Sequence, residues 1–146
     1  MKDVHQEYRK QVYETLNGAV SYNSTVVPVY TYMAEPTGDL YIVLGATSGT
    51  PSNNNKAKFL TSSVLTIDIV HFQTRGVSTA VVDDVYGQCM ELLITAPFTP
   101  GFTLASPFKA ANIEVIMDDH IFEQGLDKVV RKVFRLRCEI EQDEIF

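Results

Sequence analysis

Asp118, Asp119 and His120 are consecutive, and Glu123 follows three residues later. This is the group in the chain whose residue types most suit chemistry. Two carboxylates and an imidazole can hold a divalent metal or share a proton. Consecutive residues of a strand point to alternate faces, however, so the three cannot converge. Glu123 joins them only if the chain turns. The spacing therefore reads as the polar end of a strand in preference to a site. Asp68 and His71 have the same weakness, because three residues apart in a strand means opposite faces. Asp83 and Asp84 fall near a helix start, where carboxylates complement the helix dipole. The sequence contains no Gly-x-Ser-x-Gly, HExxH or CxxC pattern and no glycine-rich nucleotide turn. Nothing in it implies a cofactor or a metal.

The remaining reactive groups read as structure. Cys89 and Cys138 each fall on the apolar side of a predicted element, which makes them buried thiols acting as small hydrophobes. Lys128, Arg131, Lys132, Arg135 and Arg137 form a basic run flanked by acids. On alternating strand positions Arg131, Arg135 and Arg137 share a face with Glu139 and Glu141. A mixed face of that kind suits a subunit interface or plain solvation.

The elements that would position these groups follow from periodicity. The run FLTSSVLTIDIVHF, from Phe59, is a long strand with Leu65, Ile67 and Ile69 on one face. QTRGVS breaks it, and Ser78 stands where it can cap a helix. That helix carries Val82, Val85, Cys89 and Leu92 at helical spacing. Upstream, Asp3 to Leu16 is a helix with Val4, Tyr8, Val12 and Leu16 on one stripe, capped by Asp3 and closed by Asn17-Gly18. His5 lies off that stripe and is expected in solvent. Val26 to Met33 and Leu40 to Ala46 are strands, and Pro28 suits an edge or a strand entry. Tyr22, Tyr30, Tyr32 and Tyr41 gather there, as recognition surface or as good strand formers.

The segment from Gly45 to Lys58 reads as a loop, ordered on a partner or forming a flexible hairpin tip. Further on, three prolines punctuate TAPFTPGFTLASPFKAAN. It is expected to be irregular, with a short edge strand near Phe102 to Ala105 and with Phe98, Phe102 and Phe108 pinned to the core. Ile113 to Asp118 is a strand, Phe122 to Asp127 a turn, and Val130 to Ile140 the last strand. The fold expected is α+β, a mainly antiparallel sheet with both helices on one face. The other face is left open or covered by another subunit.

A chain of 146 residues suits one domain, here spanning 1–146 with a mobile loop at 45–58. The net charge of −6 and a pI of about 4.9 argue against a general electrostatic grip on nucleic acid. The charged start, MKDVHQEYRK, is no signal peptide, and no apolar run approaches the ~20 residues of a membrane span.

In this order the elements resemble the tail terminator (tail completion) proteins of tailed bacteriophages. The resemblance is carried by the first helix ending in Leu16-Asn17, the short strand VVPVY, and the turn into LYIVLG. A polar loop then leads to LTIDIVHF, the helix from Ser78 follows at once, and RKVFRLRCEIEQ closes the chain. The resemblance implies a non-enzymatic structural virion protein, made in the cytoplasm of the bacterial host. It implies a homo-oligomer, typically a hexameric ring, at the head-proximal end of the tail tube. Such a ring ends tube growth, meets the tail tube protein and the neck or connector proteins, and lets DNA through its lumen without specific binding. Acidic walls suit that passage. On this reading Ser52, Asn53, Asn54, Asn55, Lys56, Lys58, Arg75, Arg135, Arg137 and Glu139 are candidate subunit or docking residues. A head–tail connector ring is the near alternative. A small α+β ligand-binding domain or enzyme using Asp118, Asp119, His120 and Glu123 is the alternative from another class.

Overall fold

The computed structural model describes residues 3–31, 38–55, 58–73, 78–124 and 128–143. The first helix, α1, is Val4–Leu16. The Asp3 carboxylate accepts a hydrogen bond from the His5 backbone N–H at its start, and Asn17 caps its end, with Gly18 at φ +80°. Two short pieces, β1 (Ser21–Tyr22) and β2 (Thr25–Val26), form a ribbon turned by Asn23 and Ser24, both at positive φ. Then come β3 (Val29–Thr31), β4 (Leu40–Asn55), β5 (Lys58–Gln73) and α2 (Ala80–Leu93). A second ribbon, β6 (Ile94–Ala96) with β7 (Thr99–Pro100), precedes the long strands β8 (Phe108–Gln124) and β9 (Lys128–Asp143).

The main sheet has the order β3-β4-β5-β9-β8. Four of its strands are 16 or 17 residues long. At ~3.3 Å per residue each spans roughly 53 Å, whereas a helix of 13 or 14 residues spans about 20 Å. Each helix is therefore less than half as long as these strands. Both lie on one face, as the apolar stripes require. Tyr8, Val12 and Leu16 of α1 and Val82, Val85 and Cys89 of α2 pack with Ile42, Leu44, Leu65, Ile67, Ile69, Phe134 and Leu136 in one fully buried core. Tyr8 is buried at the centre of it. Its hydroxyl donates to the Leu136 carbonyl at 2.8 Å, and its ring stacks on Phe102.

Several expectations are corrected. The segment from Gly45, read as a loop, is strand as far as Asn55. Thr47 to Ser52 pair with Leu65 to Leu60, and Asn55 pairs with Lys58. Local propensity is overridden because β5 is a central strand, held on its other side by β9 from Lys58↔Asp143 to Gln73↔Lys128. A fixed β5 presents a complete row of backbone partners to whatever chain follows it.

Phe122 to Gln124, read as part of a turn, continue β8, since each has a partner in β9. The edge strand expected near Phe102 to Ala105 is replaced by the β6–β7 ribbon. Phe98 is 58% exposed in that ribbon's turn, so it pins nothing. Thr79, not Ser78, holds the N-cap position of α2, although the Ser78 hydroxyl accepts from the Ala80 N–H at 3.2 Å. β3 lies parallel to β4, whereas successive strands were expected to be antiparallel.

Candidate assembly surface

The Asp118–His120 group is drawn apart by the pleat. Asp118 and His120 face α2, and Asp119, opposite Val133 in the register, faces the other way. His120 Nε2 lies 2.7 Å from Asp83 Oδ1. The Tyr86 hydroxyl donates to Asp118 at 3.3 Å, and Lys132 Nζ lies 3.7 Å from Asp118 and 4.7 Å above the Tyr86 ring. Burial, reinforced by the Asp118 charge, pushes the Tyr86 phenol up to about 12. For Asp83, partial burial works upward, but hydrogen bonds with His120 and Thr79 hold the carboxyl below its ordinary value. The arrangement is a clasp tying α2 to the sheet's edge strand. Among the described residues no group of three or more His, Cys, Asp or Glu could hold a metal.

The other flagged groups are structural as well. Asp68 and His71 lie on opposite faces. His71 Nδ1 accepts from the Gln73 side-chain amide at 3.1 Å, and burial lowers its pKa. His5, expected in solvent, is half-buried, with Nδ1 2.7 Å from the buried Ser63 hydroxyl. Cys89 and Cys138 are free and fully buried, and burial pushes both thiols up to about 12.

The face of the sheet away from the helices is built differently along its length. At one end Tyr41, Val43 and Val70 bury one another with help from Tyr30, Phe72 and Val129. The Tyr41 ring meets Tyr30 edge-on at 5.9 Å and Phe72 at 6.2 Å. Beside them the Arg131 guanidinium is forked between Asp68 and Glu123, the latter at 2.8 Å, and this raises its pKa. All of these groups but Tyr30 line a recess of about 360 Å3. Farther along, Arg137 pairs with Glu114 on β8, Arg135 is exposed opposite Thr66, and Glu139 stands opposite Ser62. Arg135, Arg137 and Glu139 thus share this face, which neither helix covers. Ser52, Asn53, Asn54 and Asn55 belong to β4, and Lys58 opens β5 at the far end of the hairpin. Lys56 and Arg75 lie outside the described residues.

The sequence reading missed the apolar edge. Ile116, Met117, Ile121 and Phe122 are between 36% and 50% exposed, all on β8, the outermost strand. Their signal is visible in retrospect. VIM and IF place apolar residues on both faces of a strand, where a half-buried strand would alternate.

No protein-family model matches the chain, and no curated protein sequence does. Solved structures do. A chain from the virion of a native gene transfer agent particle aligns with 97% of this chain and 99% of its own, with a TM-score of 0.74 at 12% identity. A second solved chain aligns with 98% of this chain and 94% of its own at 11% identity. Its TM-score of 0.49 is too low to argue from. At such identities the shared property is the fold.

Proposed function

We propose that this chain is a structural protein of a phage-like virion. Copies form a ring, hexameric by the resemblance, at the head-proximal end of the tail tube, where it ends tube growth and joins tail to head. The observation that carries the reading is end-to-end agreement of fold with a chain of a gene transfer agent virion, with almost no part of either chain left over. The uncovered face and the apolar edge strand support an assembling protein, since a strand edge of this length is a template for pairing. The partners are other copies, the tail tube protein and the neck proteins. Ser52–Asn55 and Lys58, at the hairpin end, together with Lys56, Arg75, Arg135, Arg137 and Glu139, are the proposed docking residues. DNA passes without specific binding, in keeping with the net charge of −6. Among the described residues no helix is long and apolar enough to cross a membrane.

A head–tail connector or neck ring of the same virion region uses the same features and is the second reading. The non-enzymatic character is part of the proposal. Separation of Asp118 and His120 from Asp119 by the sheet favours it over a site built on those residues. Light scattering on a size-exclusion column tests the ring. We expect a species of roughly 98 kDa, six times the 16.3 kDa chain, that grows with protein concentration. A monomer at every concentration, with tail tube ends present as well as absent, contradicts it.

A further inference from the structure

We infer that copies of this chain join head to tail, the outer edge of β8 on one copy meeting the β3 edge and α1 of the next. This deepens the ring proposal and rests on it. β8 and β3 are the two edges of one five-stranded sheet. β3 runs parallel to β4, and each later neighbour reverses direction, so β3 and β8 point opposite ways. A head-to-tail copy in the same orientation therefore presents β3 antiparallel to β8, the more stable pairing. Such a heterologous contact closes into a ring when its rotation allows.

The register places the two edges at the same height. Val29 of β3 pairs with Ile42, Ile42 with Ile69, Ile69 with Lys132, and Lys132 with His120. Val29–Thr31 of one copy thus stand level with Asp118–His120 of its neighbour. β8 is bulged at Ala110/Asn112 and Val115/Met117, and its register is unbroken from Met117 to Gln124. Bulges blunt an edge, so the unbulged run is the part free to pair.

The chemistry of the two edges is complementary. On the β8 side stand Asp118 and Asp119, with exposed Ile121 and Phe122 beyond them. On the β3 side a recess of about 440 Å3 between α1 and β3 is lined by Arg9 and Lys10, next to Tyr13 and Tyr30. Asp118, on the helix side, comes level with Thr31 beside these bases, whereas Asp119 projects from the opposite face, level with Tyr30. By the same row count Phe122, opposite Val130 and so level with His71 and Leu40, comes level with the neighbour's Val27, next to Val26, which is 55% exposed.

The test is a charge exchange read by light scattering and sedimentation, with circular dichroism to confirm folding. Lys10 and Asp118 are both exposed and both stand on the helix side of the sheet. Lys10→Glu or Asp118→Lys alone should weaken self-association on the order of tenfold, through repulsion across the contact. The double variant K10E/D118K should recover most of the loss. Phe122→Lys should also weaken it while leaving the monomer folded. A ring indifferent to both single changes, or a double variant no better than the singles, overturns this interface and leaves the ring itself standing. A wild-type chain that never self-associates also overturns it, while the position of the protein on the particle is decided separately by labelling.

Discussion

Tyr8→Ala is expected to destabilise the fold by about 3–5 kcal/mol, the range for removing a large aromatic side chain from a core. Tyr8 is 0% exposed and sits where α1 crosses the sheet. Its ring lies on Phe102, which brings the loop after β7 into the core, and its hydroxyl reaches the Leu136 carbonyl in β9. One side chain therefore ties three parts of the chain together. Small domains have only ~5–15 kcal/mol in total, so the loss is a large share. Tyr8→Phe separates packing from the hydrogen bond and should lose about 0.5–1.5 kcal/mol. Urea unfolding followed by circular dichroism measures both. A loss below about 1 kcal/mol for the alanine variant would mean that α1 is not docked through this residue.

Gly49→Ala is expected to destabilise by about 1–3 kcal/mol, as overpacking does. The sign is the informative part. In a loop with no close neighbours the same change stabilises by about 0.4–1 kcal/mol, by restricting the unfolded chain. Gly49 instead lies in β4 opposite Ser63. A Cβ there would fall inside contact distance of the Ser62 carbonyl oxygen and 2.7 Å from His5 Cε1. His5 cannot yield freely, because its ring is bonded to the Ser63 hydroxyl. Thermal melts of the two proteins decide it. A rise in Tm would restore the loop reading of this segment, and a fall supports the long hairpin.

The parts of the fold legible in the sequence are those that periodicity encodes. Val4, Tyr8, Val12 and Leu16 repeat at helical spacing and all are buried. Leu65, Ile67 and Ile69 alternate and all face the helices. The α+β class and the placing of both helices on one face follow from these stripes. What escaped depends on partners distant in sequence. Gly45 to Asn55 contains poor strand formers and is extended because β5 offers it a row of backbone groups. His120 and Asp83 are 37 residues apart, so no local pattern signals their clasp. The aromatic recess around Tyr41 assembles from β4, β5, β8 and β9, with Tyr30 of β3 packed beside it. The candidate docking residues were legible only as polarity. The register adds that Arg135, Arg137 and Glu139 share the uncovered face.

Labelling reads the protein's place in the particle most directly. Antibody against this chain, bound to particles made by the genome that encodes it and viewed by negative-stain microscopy, should mark one point, the junction of head and tail. Labelling at the far tip of the tail, along the whole tube, or on no particle at all would contradict the account.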